Sequence, residues 1–391
     1  MNTKSLGSMI CAIALSVSLA GVIVAACAQA AGGQAAAPAA GQAATAAVVT
    51  AGQSPRFKNI QVLKDIPADQ LIPTMQFIAN SLGKDCDFCH VGQTNGQNNF
   101  DKDDKQPKKT ARHMIQMQMA INKDNFNGNN NVTCYSCHRG SNDPVNVPAV
   151  IQTDAAPASE AAASAPPATL PSVDQIVDKW IAASGGADAI NKVNSRVATG
   201  KILFGGGTQT IEIYAKAPNK RVSVTHSDRG DSFTAFDGNS GWLGGANNAH
   251  DMTAQESAGS RMDAVLHLPT EIKQTLTRLR VVRPDKIDGK EVYTLVGTAT
   301  EGLTVRLYFD EQSGQLLRMV RYTPTPLGRN PVQVDYSDYR DVNGVKVAYK
   351  WVLSRPLGRF TIQLDDVKQN VAVDDSKFTK PAAAAAPGGT F

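Results

Sequence analysis

The chain has 391 residues, of which 42% are hydrophobic, and this is enough for two or three domains with ordinary buried cores. Its 39 lysines and arginines exceed its 35 aspartates and glutamates by four. So small an excess produces no basic field that would attract nucleic acid. Charge therefore excludes nucleic acid as a partner and identifies no other.

The first 27 residues have the features of a bacterial export signal, because Lys4 is followed by an apolar, Ala-rich run without acidic residues. Small residues before Cys27 favour a lipoprotein signal in which the Cys27 thiol is acylated. Ala28-Gln29-Ala30 is an alternative, ordinary cleavage site, and a retained membrane anchor is a third interpretation. We expect an exported, periplasmic protein that a lipid anchor attaches to a membrane.

Four of the six cysteines form two copies of a Cys-x-x-Cys-His motif, at residues 86–90 and 134–138. Each copy is an attachment signal for a c-type haem. Two thiols about one helical turn apart can bond to the two vinyl groups of one haem, and the adjacent histidine then reaches the iron. The sequence therefore predicts two covalently attached haem c groups. The expected thioether residues and iron ligands are Cys86, Cys89 and His90 for the first haem and Cys134, Cys137 and His138 for the second.

Two other uses of paired cysteines fit the sequence less well than haem attachment. A structural zinc site would leave both histidines unexplained, and the separation of the two motifs is longer than in a usual zinc ribbon. A thioredoxin-like redox pair would require a βαβ pattern, and neither motif has one around it.

The pattern of residues upstream of each motif predicts a helix, and we expect that helix to carry the sixth ligand of the iron. In residues 71–83 apolar side chains recur at helical spacing, and in residues 110–122 a similar pattern repeats. Met75 lies eight residues before Gly83, and Met114 lies eight residues before Asn122. This register selects Met75 and Met114 as ligands of the first and second iron.

The second iron has competing ligands. Met114, Met117 and Met119 could be no more than adaptable core residues, which is the commoner role of methionine on a helix. Met117 is the other methionine candidate for the iron. His113 is also a candidate, although it lies off the apolar face and has no counterpart in the first helix.

Residues 56–145 resemble the cytochrome c subunit of photosynthetic reaction centres, a tetrahaem lipoprotein built from two dihaem halves. The resemblance is carried by Ala111-Arg112-His113-Met114-Ile115-Gln116-Met117, by Ile121-Asn122 and by the VTCYSCHRG stretch at 132–140. It implies methionine ligation on the preceding helix, at Met75 and Met114. The loop 123–133 lacks the histidine that the family places there for a haem of its other half. A dihaem unit has no use for that ligand, and the absence of the family's other two haems argues against direct service to a photosynthetic reaction centre.

The remaining segments divide the chain. Ala-, Gly- and Pro-rich stretches predict linkers at 28–54 and 148–171. The first linker precedes a dihaem domain at 55–147, and the second connects that domain to a second domain at 172–381. A tail follows at 382–391. The second domain begins with a helical pattern and continues with strand-like runs between turn pairs such as Asp288-Gly289 and Asn343-Gly344.

The stretches at 335–351 and 368–381 resemble bacterial outer-membrane lipoprotein carriers and sorting proteins, which are half-open β-barrels around an apolar concavity. The expected fold class is therefore α+β and multidomain. A small, mainly helical dihaem domain precedes a mainly antiparallel, half-barrel-like domain with one N-terminal helix.

These features favour an electron-transfer protein and not an enzyme, with periplasmic or membrane-bound redox proteins as partners. One alternative is a dihaem peroxidase-like enzyme with an open second haem. Another is a lipid- or lipoprotein-binding module whose second domain holds an apolar ligand and whose cytochrome reports redox state.

Overall fold

The computed structural model describes two successive regions of the chain: the first runs from residue 48 to residue 146, and the second from residue 170 to residue 380. The described residues are 48–94, 97–144, 146, 170–228, 230–245, 249–355 and 358–380. The expected export signal, the acylation site Cys27, most of both expected linkers and the expected tail lie outside them. Within the described residues, no helix combines the length and the apolar character that a membrane span requires.

Helix α1, Leu71–Leu82, ends where its sequence predicts. A 3-10 turn at Ala68–Gln70 leads into it, and Pro73 lies in the first helical turn, where its missing N–H removes no helical hydrogen bond. Gly83 follows with a φ of 61°, a left-handed conformation that glycine adopts without a Cβ clash.

The two Cys-x-x-Cys-His motifs form short helices, α2 at Cys86–Cys89 and α4 at Cys134–His138. Two short strands, β1 at Val91–Thr94 and β2 at Gln97–Asn99, follow α2. Between the motifs lies the long helix α3, Gln106–Asn125. Helix α1 packs against α4 and α2 packs against α3, so each upstream helix contacts the motif of the other half.

The pairing of Asn122 with Gly83 as equivalent helix ends is wrong, because α3 continues to Asn125. Asn122 is buried and holds the following loop through two hydrogen bonds: its Nδ2 donates to the Val132 carbonyl (2.6 Å), and its Oδ1 accepts from the Val132 N–H (3.0 Å). Gln118 donates to the same carbonyl at 2.9 Å. The asparagine therefore fixes the loop before the second motif and does not cap the helix.

Ordered structure begins before residue 55, the expected start of the dihaem domain. Ala51 is fully buried, its N–H donates to the Ile66 carbonyl (2.8 Å), and the Gly52 N–H donates to the Lys64 carbonyl (2.9 Å). The segment before α1 is thus part of the same hydrophobic core as the helix.

The second region contains one antiparallel sheet of 13 strands in the order β8-β7-β6-β5-β4-β3-β15-β14-β13-β12-β11-β10-β9. Nearly every strand pairs with its neighbour in sequence, and β15 returns to pair with β3. The strands are β3 Ser195–Phe204, β4 Gly207–Lys216, β5 Lys220–His226, β6 Ser232–Phe236, β7 Gly241–Gly245, β8 His250–Asp251, β9 Thr277–Ile287, β10 Lys290–Thr298, β11 Thr304–Asp310, β12 Leu316–Thr325, β13 Gly328–Val342, β14 Val345–Arg355 and β15 Gly358–Gln369.

Two of the turn pairs predicted from the sequence form tight hairpin connections. Asp288-Gly289 joins β9 to β10, and Asn343-Gly344 joins β13 to β14. All four residues have positive φ, between 49° and 85°. This is the conformation that matches the right-handed twist of paired strands.

Among the described residues, four α-helices accompany the sheet: α5 Val173–Ala183, α6 Ala187–Asn191, α7 Ala254–Ala264 and α8 Leu268–Thr275. Only the first was expected. Side chains of α5, α7 and α8 form one buried cluster with strands β10–β13, in which Trp180, Met262 and Ile272 contribute the helical part. Apolar side chains therefore fill this part of the sheet face. The α+β class and the order of the two regions are as the sequence predicts.

Candidate haem sites

The first motif faces a cavity of about 130 Å³. Cys86, Cys89 and His90 lie in its wall, together with Met75 from α1. Most of the remaining wall is apolar and comes from α1, α3 and the segment before α1. The structure thus brings together every residue that the sequence assigns to the first haem.

His90 is oriented by the residues around it. Its Nδ1 donates to the Phe100 carbonyl at 2.9 Å, and the Phe100 ring stands edge-on to the imidazole with centroids 5.4 Å apart. Burial lowers the pKa of His90, the Phe100 carbonyl opposes this, and the cations Lys108, Arg112 and Lys105 lower the pKa further. A neutral imidazole that donates through Nδ1 presents the lone pair of Nε2, which is the form that binds a metal.

A group of charges borders the first cavity. Arg112 binds both oxygens of Asp103, at 2.8 and 2.9 Å, and Lys108 approaches the same carboxylate at 3.1 Å. Asn59 donates to Asp103 at 3.0 Å. Hydrogen bonds from Arg112 and Asn59 hold the pKa of Asp103 far below its usual range, so this carboxylate is ionised and its cations are fixed.

The second motif faces a larger cavity of about 490 Å³, with Cys134, Cys137 and His138 in its wall. The Nδ1 of His138 donates to the Ser141 carbonyl at 3.1 Å, the counterpart of the bond that orients His90. Met114 and Met117 of α3 both line this cavity, with 40% and 47% of their surface exposed. Both methionines therefore stay candidates for the ligand of the second iron.

The other residues of α3 that were weighed do not belong to this wall. His113 and Met119 line neither of the two cavities, and both are exposed. The structure therefore does not bring His113 to the predicted second haem.

The four motif cysteines carry no disulfide. Burial raises the pKa of Cys89 and of Cys134, so both thiols favour their protonated form. Within the described residues, no group of three or more His, Cys, Asp or Glu side chains is placed to hold a bare metal ion.

The two cavities share a wall. Five residues line both of them: Ile78, Leu82, Cys89, Ala111 and Ile115. One layer of mainly apolar side chains from α1, α2 and α3 thus separates the two sites.

The residues of both sites fit a covalently bound haem. Cofactor and ligand sites are mostly apolar clefts with a few placed polar groups. Both cavities have this character, and each adds two thiols, one oriented imidazole and a thioether side chain, which are the groups that c-type haem requires. Cavities and donor set together define a c-type cytochrome.

Sequence reasoning missed the groups that support these ligands. The Phe100 and Ser141 carbonyls have no local signal, since any backbone carbonyl can accept from an imidazole. Arg112 stands in the stretch that carries the family resemblance, but its pairing with Asp103 depends on the fold.

Comparison with known proteins agrees with this class. Residues 21–173 match the family model of the photosynthetic reaction centre cytochrome c subunit. The reaction center cytochrome c subunit of Thermochromatium tepidum is 34% identical over 89 residues, which are 22% of this chain and 21% of that protein. That of Roseobacter denitrificans is 35% identical over 116 residues, 27% of this chain and 29% of that protein. The chain thus spans less than a third of either relative, and the resemblance inferred from the motifs is confirmed.

The solved structures that resemble this chain match about half of it. A lipoprotein-sorting protein domain from Vibrio parahaemolyticus has a TM-score of 0.40 at 11% identity and covers 53% of this chain and 95% of its own. A LolA superfamily protein from Nitrosomonas europaea has a TM-score of 0.39 at 13% identity, with coverages of 54% and 99%.

Proposed function

We propose that this chain is an exported dihaem c-type cytochrome that transfers single electrons between periplasmic or membrane-bound redox proteins. The observation that carries the proposal is that each motif shares a largely apolar cavity with a methionine from the helix upstream of it. The match of residues 21–173 to the reaction-centre cytochrome family supports it.

The residues divide into three roles. The thioether residues are Cys86, Cys89, Cys134 and Cys137. His90 and His138 bind the irons through Nε2, and the carbonyls of Phe100 and Ser141 keep each ring in that orientation. Met75 and Met114 fill the sixth positions. A bound haem supplies a reversible one-electron couple, and His/Met ligation raises its potential.

The shared wall supports a relay within the molecule. Ile78 and Leu82 from α1 and Ala111 and Ile115 from α3 line both cavities, so the two sites are adjacent. Because a methionine closes each iron to substrate, the side chains favour passage of electrons over turnover.

The export signal at residues 1–27 and acylation of Cys27 place the protein in the periplasm at a membrane, within this proposal. Its partners are one-electron donors and acceptors at that surface. The loop 123–133 without histidine supports a self-sufficient dihaem unit, and this favours partners other than a reaction centre.

Replacement of the methionines tests the ligand assignment. Met75→Ala and Met114→Ala should each remove the methionine-to-iron charge-transfer band of one haem in the oxidised protein. Met119→Ala is the matched control, because Met119 lies on the same helix as Met114 but lines neither cavity. A variant whose spectrum equals that of the unmodified protein excludes its methionine, and loss of the band in Met117→Ala would transfer the second ligand to Met117.

A dihaem peroxidase-like enzyme is the second candidate. It is favoured by the second cavity, which has two exposed methionines in its wall and is the larger of the two. An enzyme of this kind needs one iron with an open or displaceable sixth position. Rapid carbon monoxide binding by the reduced protein together with peroxide turnover would establish the enzyme. A slow reaction with carbon monoxide and with peroxide would favour the electron-transfer protein.

A further inference from the structure

Helix α1 contacts a different part of the molecule on each of two sides. Met75, Ile78 and Leu82 face the first cavity, whereas Phe77 lies on the other side of the helix, in contact with the hairpin that joins β12 to β13. The tip of this hairpin carries Leu327, which is 2% exposed. Leu327 belongs to the same buried cluster as Leu71, Phe77 and Ile78, although 245 residues of sequence separate it from Leu82.

The hairpin approaches α1 very closely. A Cβ atom added to Gly328 would lie 2.2 Å from Cζ of Phe77, a distance that no real contact permits. The Gly328 carbonyl accepts a hydrogen bond from Oγ1 of Thr325 at 3.0 Å, which fixes the turn. Only glycine therefore lets this strand end lie against the helix.

Three amide side chains hold the contact. Nδ2 of Asn330 donates to the Pro73 carbonyl at 2.9 Å, and its Oδ1 accepts from Nδ2 of Asn80 at 3.1 Å. Asn130, in the loop before the second motif, donates to the Pro326 carbonyl at 2.8 Å. Hydrogen bonds of this kind have directional requirements, so they fix the position of α1 along and around its axis in addition to its distance.

We propose that the β12–β13 hairpin is a positioning element for the first haem: it holds α1 from behind and thereby fixes where Met75 stands in the first cavity. The inference rests on the proposed role of Met75 as an iron ligand. It gives the β-rich region a function in the cytochrome, because the hairpin of that region packs against the side of α1 that faces away from the first cavity, and α1 carries Met75. Leu327 and Asn330 are positioning residues and touch no reacting group.

The test uses the full-length, haem-loaded protein and its two midpoint potentials, assigned by their response to Met75→Ala. Leu327→Ala should weaken the methionine charge-transfer band and lower the potential of the first haem while leaving the second within error. Leu327→Met should restore the band and the potential of the first haem, since the methionine side chain fills the space that the leucine side chain occupies. Leu203→Ala is the matched control, because Leu203 is a β3 leucine with 41% of its surface exposed.

Asn330→Ala keeps the proposal testable if Leu327→Ala does not fold. It removes two hydrogen bonds and leaves the apolar contact, so a smaller shift of the first potential alone is expected. Unchanged potentials in folded Leu327→Ala or Asn330→Ala, or equal shifts of both haems, would refute the positioning role and leave the electron-transfer proposal standing. An unchanged band and unchanged potentials in Met75→Ala would refute the ligand assignment and the positioning role with it.

Discussion

Charged side chains are distributed unequally around the two cavities. Lys58, Lys84, Lys108 and Arg112 line the first, and Asp85 is the acidic residue among the described part of that wall. Among the described residues that line the second, none is an aspartate, glutamate, lysine or arginine. Positive charge near an iron stabilises the reduced form, which carries one positive charge fewer. At the residue scale, the first site is therefore expected to have the higher potential.

Arg112→Gln tests this electrostatic difference. Loss of the cation should lower the midpoint potential of the first haem by the equivalent of about 1 kcal/mol, a roughly fivefold change in its redox equilibrium at an effective dielectric constant near 20. Asp103→Asn removes the partner carboxylate, so its effect should have the opposite sign. A potentiometric titration followed by absorbance measures both, and equal shifts of the two haems would contradict a local cause.

At the scale of the element, α3 does more than present methionines. Gln118 and Asn122 lie one turn apart on its buried side, and both bond the backbone of Val132, two residues before Cys134. Helix and motif are thus joined by side-chain hydrogen bonds across the 126–133 loop. This connection sets the distance between the methionines of α3 and the second motif.

Asn122→Ala should reduce the free energy of unfolding by about 1–3 kcal/mol, because it leaves the half-buried Val132 N–H without its partner and removes one of the two donors to the Val132 carbonyl. The measurement is denaturant unfolding of the haem-loaded protein. Asn125→Ala is the control, since Asn125 is exposed and bonds only its own helix at the Ile121 carbonyl. Equal stability of the two variants would show that the loop is held by other contacts.

Elements with a local signal were predictable, and elements without one were not. Helix α1 has a clear apolar face, an early proline and a terminal glycine, and its bounds were correct. Helix α7 was missed because its sequence, AQESAGSRMDA, shows little apolar periodicity. Its N-terminal capping box, Thr253 with Glu256, was a readable signal, and the helix is stabilised by burial of Ala258 and Met262.

At the scale of the whole molecule, the two regions are more closely connected than their sequences indicate. Cysteine and histidine spacing alone predicts the haem attachment residues, because that chemistry fixes the spacing. The contact of Leu327 with the core of the first region joins distant parts of the chain, and no local pattern encodes such a pairing. The division of the chain into two domains remains a prediction, since residues 48–391 form one compact unit.

The central claim is that the chain holds two haems, each closed by histidine and methionine. A spectroelectrochemical titration of the full-length, haem-loaded protein tests it most directly. We expect two one-electron transitions, both between low-spin six-coordinate states, with a methionine charge-transfer band for each oxidised haem. A single transition, or a high-spin component at either haem, would contradict it.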